Sequence, residues 1–424
     1  MIEDLPFRLS AFGERFASGS GILDLMDDLG NALAEGGDKL MLGGGNPSHI
    51  PRVQSRLRVH MQRLLETPGA FERLVGDYAP PNGTPAFREA LAGLLRREFG
   101  WEVGPEQVAV TNGSQAAFFC LFNLFAGTGS DGVKRRVLFP MAPEYIGYAD
   151  LGLEPGLFTA RRPRIEELPG RLFKYHPDFD SLEVDDSIGA LCVSRPTNPT
   201  GNVLSDREME RLAAVSRTAG VPLIVDNAYG APFPDIIYRE AHPLYEDNLI
   251  LCLSLSKLGL PGARTGLVVA AEPVIRLLGA MNAVVNLASG NLGCMLGQSL
   301  IESGEILSLS REVIRPWYRE RMERALALCH RQLEGIEYRV HRPEGAMFLW
   351  LWFPGLPIDS EQLYQRLKAR DVLVVAGHHF FPGLEGEWRH RQECLRITYT
   401  QPEEVVAKGL AIIADEARKA YANH

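Results

Sequence analysis

Paired cysteines, a surplus of basic charge and a membrane-length apolar run are all missing from these 424 residues. The six cysteines, at 120, 192, 252, 294, 329 and 394, form no Cys-x-x-Cys or Cys/His ligand spacing and lie mostly beside Leu, Val or Phe. That excludes a zinc ribbon, leaves no metal expected and points to reduced, buried thiols. No stretch approaches the roughly eighteen uncharged apolar residues that span a bilayer, and MIEDLPFRLS lacks the apolar core of a secretory signal. A cytoplasmic protein without a membrane partner is expected. Lys and Arg number 44 against 53 Asp and Glu, a balance of −9, so a nucleic-acid partner is not expected. With 46% hydrophobic and 23% charged residues, the chain can fill one large domain and a smaller companion.

From about residue 108, short β-rich runs alternate with helical stretches: QVAVTNG, SQAAFFCLFNLFAG, RRVLFP, ALCVSRPTNPTG, SDREMERLAAVSRTAG, VPLIVDNAYG, NLILCLSLSKLG and TGLVVA. This order predicts an α/β fold, a mostly parallel central sheet flanked by helices. Several strands are almost wholly apolar, as burial on both faces demands. Upstream, ILDLMDDLGNALAEG reads as an amphipathic helix, and residues 52–75 and the stretch after PPNGTP read as surface-lying helices. Downstream, a polar helix over 309–333, sheet-like YRVHRPEG, AMFLWLWF and CLRITYT, and helices near 360–369 and 402–421 give α+β order. The expected division is an N-terminal segment, 1–45, contributing to a small domain; a large domain, 46–319; and a small C-terminal α+β domain, 320–424.

Polar residues cluster where the strands end. Ligands of such sheets sit outside the carboxyl ends of the strands, so Thr111, Asn198, Asp226 and Ser254 qualify by position. The richest stretch is SLSKLGLPGARTG, residues 254–266, where the strand LILCLSL gives way to Lys257 in a glycine-rich connection. An arbitrary lysine there is a solvated surface group. Here Ser254 and Ser256 add hydroxyls and Arg264 adds a fork of donors seven residues on, which suits a phosphate monoester. An amine beside a phosphate seat suggests a covalently held phosphorylated aldehyde.

In VTNGSQAAFF, Gly113, Ser114 and Gln115 lie between a strand and a helix, so unpaired N–H groups can face an anion; Ser114 as a plain N-cap is the competing reading. Asp226 closes a wholly apolar strand. It is either a turn former or, opposite a heterocyclic nitrogen, the carboxylate that keeps that ring cationic. Tyr229 and Asn198 can each reach a phenolic oxygen on the same ring.

In order and spacing, Gly113-Ser114-Gln115, Asn198-Pro199-Thr200-Gly201, Asp226-x-x-Tyr229, Ser254-x-Ser256-Lys257 and Pro261-Gly262-x-Arg264-x-Gly266 resemble the class I and II aminotransferases. The likeness runs over nearly the whole chain and implies the type I fold of the pyridoxal 5′-phosphate-dependent transferases. It implies pyridoxal 5′-phosphate as cofactor and transfer of an amino group from an aliphatic L-amino acid, valine foremost, to a 2-oxo acid such as pyruvate. Lys257 would form the internal Schiff base and shuttle the proton, Asp226 would pair with the pyridine nitrogen, and Asn198 and Tyr229 would hold the ring oxygen. Ser114, Gln115, Ser254, Ser256 and Arg264 would hold the phosphate at the Gly113 turn, and Tyr145 of PEYIGY would stack on the ring. Tyr78, in DYAPPNGTPAFREAL, matches a tyrosine that crosses a homodimer interface to the partner's phosphate. Arg396, in LRITY, matches the arginine that takes the substrate α-carboxylate, with Gly45 of GGGNP and Asn198 lining the same site.

No motif supplies a second arginine for an acidic side chain, although Arg52 and Arg195 are candidates. His378 and His379 of VVAGHHFFPG read as turn or rim histidines, having no carboxylate in the local sequence. The alternating aromatics of FLWLWF read as a core strand. The alternatives are a C–S β-lyase on the same lysine, aspartate and arginine, or an alanine or other aliphatic or aromatic aminotransferase. A transcription regulator with such an effector domain would need a helix-turn-helix module before the glycine-rich segment at residue 43, and none is expected.

Overall fold

The structure, a computed structural model, describes residues 7–17, 21, 23, 26, 27, 30 and 39–422. Most of the expected helix in ILDLMDDLGNALAEG lies outside the described residues. The strands run in chain order β1 (Leu40–Met41), β2 (Val108–Thr111), β3 (Gly127–Thr128), β4 (Lys134–Phe139), β5 (Phe158–Ala160), β6 (Arg164–Leu168), β7 (Leu172–His176) and β8 (Ile188–Ser194). They continue as β9 (Leu223–Asp226), β10 (Leu249–Ser254), β11 (Gly266–Val269), β12 (Arg339–His341), β13 (Phe348–Trp352), β14 (Val372–Leu373), β15 (Val375–Ala376) and β16 (Cys394–Thr398).

The larger sheet has the order β2-β11-β10-β9-β8-β4-β3, with β5 also paired to β4. β10, β9, β8, β4 and β5 are successively parallel, whereas β11 runs antiparallel to both β10 and β2. Every residue of β8 and β10 is buried, which accounts for their uninterrupted apolar runs. The helix Asp206–Ala219 between β8 and β9 starts with a reciprocal cap, Ser205 with Glu208, and stops at Gly220, whose φ of 68° few other residues adopt readily. The helix Pro85–Phe99 is not surface-lying as expected: Phe87, Leu91, Leu94 and Leu95 are buried. Their i, i+4, i+7, i+8 spacing forms one apolar face. All six cysteines are unpaired and buried. No described helix is long and apolar enough to cross a membrane.

The second sheet, β15-β16-β13-β12-β7-β6, takes its β6–β7 hairpin from residues 164–176 and pairs β7 parallel to β12. For this sheet, sequence patterning marked strands only from YRVHRPEG, residue 338, onward. The hairpin's available signal was the Pro169–Gly170 turn, followed by Arg171 at a positive φ of 59°. The helix Arg315–Gln332, entered through a π-helical turn at Leu309–Ile314, crosses the expected 319/320 boundary, and β1 pairs with β14. Lys174 of β7 is buried against Glu344 and donates to Asn202 Oδ1 at 2.8 Å, pinning the segment before β13 to the turn that carries Asn198. GTGSDG, residues 127–132, has the glycine spacing of a dinucleotide loop but connects β3 to β4, which are antiparallel. It opens no helix, so it gathers no N–H groups for a phosphate.

Strand register gathers one edge of the larger sheet. Ser194 lies opposite Asp226, Ser254 opposite Gly266, and Gly266 opposite Thr111. Gly266 allows the start of the helix Ser114–Phe125 to press onto β11, since a Cβ there would lie 2.5 Å from the backbone of Gly113 and Ser114. Replacing Gly266 by Ala should therefore destabilise the protein by about 1–3 kcal/mol, measured as a lower thermal midpoint. Gly262→Ala, with nothing within 4 Å of the added Cβ, should leave that midpoint nearly unchanged.

Candidate active site

Lys257 follows β10 and reaches back over the sheet edge. Its Nζ donates to the Gly45 carbonyl at 2.7 Å and lies 5.5 Å from the centre of the Tyr229 ring. Burial lowers its pKa to about 8; Arg396 and Arg264 push the same way, and Asp226 opposes them. The amine is thus far more available in its neutral, nucleophilic form than an exposed lysine.

Asp226 ends β9 on the same edge. Its Oδ1 accepts from the Ala228 N–H at 3.0 Å, the turn-forming bond, and its Oδ2 accepts from the Tyr148 hydroxyl at 2.6 Å. Burial raises its pKa, while these two bonds and Lys257 favour the carboxylate. Tyr229 is buried beside Phe348, ring centres 6.2 Å apart. Tyr145 lies across from Tyr148, edge to face at 5.3 Å, and its hydroxyl is pushed up by burial in the field of Arg396, Asp226 and Arg264.

Gly113, at φ +84°, is the N-cap of the helix Ser114–Phe125, so Ser114 is the first helical residue and not the cap. The Ser114 hydroxyl donates to Leu253 O at 3.1 Å and the Gln115 amide to Gly147 O at 2.8 Å. Both side chains brace the turn, leaving first-turn backbone N–H groups without intrahelical acceptors. The Arg264 guanidinium covers this turn so closely that a Cβ on Gly113 would lie 2.4 Å from its Nη2. Arg264 forms no ion pair among the described residues. Ser254 and Ser256 are buried alongside, the Ser254 Oγ accepting from the Ser256 N–H at 3.1 Å. A helix start, two hydroxyls and a guanidinium whose one hydrogen bond among the described residues is long, Nη1 to Pro261 O at 3.5 Å, make a seat for a phosphate dianion.

Arg396, on β16, is 2% exposed. Its Nη1 donates to Asn198 Oδ1 at 2.8 Å and its Nη2 to Gly43 O at 2.6 Å, while Nε has no partner. The rings of Phe348 and Phe380 flank the guanidinium at 4.3 and 5.1 Å. Burial lowers its pKa to about 10, so it remains cationic at neutral pH, and no carboxylate pairs with it among the described residues. This cation is built to receive an anion from outside the chain.

The structure thus brings together Gly45, Gly113, Ser114, Gln115, Tyr145, Asn198, Asp226, Tyr229, Ser254, Ser256, Lys257, Arg264 and Arg396. Tyr78 stands apart, 83% exposed. Sequence reading missed Gly43, Tyr148, Phe348 and Phe380; PEYIGY and GGGNP drew attention to their neighbours Tyr145 and Gly45, with nothing to single out Tyr148 or Gly43. Arg195 is committed to Leu204 O, His242 O and Asp206, and Arg52 is exposed, so neither adds a second cation to the cluster. His379 does face a carboxylate, Glu361 at 3.9 Å from a helix distant in sequence, and His378 Nδ1 meets Ser360 Oγ at 3.0 Å.

Comparison with known proteins agrees with this geometry. The family described as aminotransferase class I and II matches residues 69–413. Valine–pyruvate aminotransferase of Escherichia coli K12 is 49% identical over 97% of this chain and 99% of its own length. The solved valine–pyruvate aminotransferase of Salmonella typhimurium LT2 is 46% identical, with a TM-score of 0.88 over 95% of this chain and all of that one. A solved chain from Psychrobacter arcticum 273-4, 42% identical, superposes with a TM-score of 0.96 over 99% of this chain and all of that one. A phosphate seat, a lysine of lowered basicity and a buried carboxylate on one sheet edge, faced by a solitary arginine from the smaller sheet, with these likenesses, place the chain in the class I and II aminotransferase family, whose cofactor is pyridoxal 5′-phosphate.

Proposed function

We propose that this aminotransferase converts L-valine and pyruvate to 3-methyl-2-oxobutanoate and L-alanine. The observation that carries the reading is Arg396: a buried cation with no carboxylate partner among the described residues, brought from the smaller sheet to the same glycine segment that Lys257 touches, Arg396 donating to Gly43 O and Lys257 to Gly45 O. The names of the two valine–pyruvate relatives support the choice of substrates.

When bound, pyridoxal 5′-phosphate supplies an aldehyde that takes up the amino group and a ring that receives the electron pair left as the Cα–H bond breaks. Arg264, Ser254, Ser256 and the helix start at Gly113–Gln115 would hold its phosphate, Tyr145 its ring face, and Asn198 and Tyr229 its ring oxygen. Asp226 would pair with the pyridine nitrogen, its carboxylate favouring a protonated, electron-withdrawing ring. Arg396 would clamp the substrate α-carboxylate and so fix the orientation of the bonds at Cα. Lys257 Nζ, held near neutrality by burial, takes the Cα proton and returns it. The cleft beside Lys257 has a mixed lining, with Pro47, Ile50, Val53 and Leu258 as its apolar part, against which an aliphatic side chain would rest, and Ser48, His49 and Gln54 as its polar part. One methylene is worth only about 1–3 kcal/mol, so neighbouring aliphatic donors are turned over too.

This reading includes a homodimer in the cytoplasm. Tyr78 is 83% exposed, and Val75, Val284, Val285 and Leu287 are exposed near it, the two segments tied by Asn291, which donates to Arg73 O and Asp77 O. Such a patch suits an interface across which Tyr78 reaches the phosphate of the other copy. Buried, unpaired thiols suit a reducing compartment.

Lys257→Ala should remove visible cofactor colour fixed to the protein and slow valine–pyruvate transamination by at least about 10³-fold, a loss on the scale of a missing general base. Near-normal turnover would sink the assignment. Arg396→Lys should lower kcat/KM for valine by about 10²-fold, mostly through KM, because an ammonium cannot reproduce the fork. Val284→Glu should shift the sedimentation coefficient from dimer to monomer at micromolar concentration.

A further inference from the structure

Behind Asp226, away from Lys257, lies a carboxyl group that the proposed reaction leaves unused. Glu144 is 0% exposed. Its Oε1 accepts from the Ser194 N–H at 2.9 Å and its Oε2 meets the Ser194 hydroxyl. That hydroxyl lies 3.4 Å from the Tyr148 hydroxyl, which donates to Asp226 Oδ2 at 2.6 Å. Glu144, Ser194, Tyr148 and Asp226 therefore form one line from the core to the sheet edge. Register fixes its middle, since Ser194 and Asp226 are paired ends of β8 and β9.

No lysine, arginine or histidine pairs with Glu144 among the described residues. The titratable groups facing it are Asp226, Tyr148 and Cys192, none of them cationic. A second negative charge there would be stranded and would repel Asp226. Burial raises the Glu144 pKa to about 8, so the neutral acid prevails at pH 7. Proton counting then gives the line a direction, because each hydroxyl has a single hydrogen. If Glu144 were ionised, the Ser194 hydrogen would point to Glu144, and Tyr148 would receive no bond from that side. With Glu144 neutral, its O–H donates to Ser194 Oγ, Ser194 donates to Tyr148, and Tyr148 donates to Asp226.

We propose that Glu144 is a positioning residue: as a neutral acid it aligns the Ser194 and Tyr148 hydroxyls in one direction, and the chain of donors holds Asp226 ionised and aimed at the pyridine nitrogen. Aligned donors strengthen one another, so the last bond, to Asp226, gains from the first. The proposal rests on the role given above to Asp226.

The test uses the pyridoxal 5′-phosphate-loaded enzyme and two readouts: the pH midpoint at which its visible absorption band changes form, and the exchange rate of the Cα hydrogen of L-valine. Glu144→Ala and Ser194→Ala each break the line. Both should raise the midpoint by about 1 unit, because a less cationic ring withdraws fewer electrons, and slow exchange by about 10- to 100-fold with KM for valine little changed. Glu144→Gln keeps an acceptor for the Ser194 N–H and a donor toward Ser194 Oγ, and should bring both readouts back to within about threefold of the unmodified enzyme. Tyr148→Phe cuts the line at its last link and serves if an alanine variant does not fold. A folded Glu144→Gln that fails to restore the midpoint overturns the proposal, as do chain-breaking variants that leave it unmoved. Asp226→Asn separates the two levels: an unmoved midpoint there defeats the reading of Asp226 itself, whereas a moved midpoint there alone defeats only the role of Glu144.

Discussion

A guanidinium sealed between two phenyl rings, with only an amide oxygen and one carbonyl to satisfy it, is the constraint around which this site is organised. Taking a charge out of water without a counter-charge costs several kcal/mol. The fold tolerates Arg396 because Asn198 and Gly43 accept from it and because the rest of the structure over-determines its place. β16 is paired on both sides, with Trp350 and Val375 opposite Arg396. The pairing makes the guanidinium rigid, and its isolation makes it selective for an incoming carboxylate.

The same cation acts on the lysine. Arg396 and Arg264 add to the burial that holds Lys257 near a pKa of about 8, while Asp226 pulls the other way. The charges proposed to bind the two anionic ends of the reacting molecules therefore also set the basicity of the group proposed to move the proton. Binding and catalysis share one electrostatic arrangement, and it spans both sheets: Lys257, Asp226 and Arg264 follow from the larger one, Arg396 and Phe348 from the smaller.

The larger sheet was legible in the sequence because its strands are buried on both faces and so are almost purely apolar, and because the polar residues that end them stand out against those runs. Lys257, Asp226 and Asn198 could be named for that reason, whereas Arg396, inside a strand of the smaller sheet, was marked only by the family resemblance. Tyr148 could not, since its bond to Asp226 depends on how a loop after β4 folds over β8 and β9. Nor could Gly43, whose contribution is a carbonyl and carries no side-chain signature. Pro85–Phe99 was misjudged because its arginines suggested exposure while its apolar stripe decided the packing. The β6–β7 hairpin escaped because its partner strand is nowhere near it in sequence.

That hairpin also orders events in the birth of the protein. Leu172 pairs with Val340, so a ribosome adding about 5–20 residues per second leaves the strand edge open for on the order of ten seconds or more before its neighbour emerges. An open edge is a template for unwanted pairing. The charged Arg164, Glu166 and Glu167 lie on β6 and so blunt the hairpin's other edge, which has no further strand beside it in the finished sheet among the described residues.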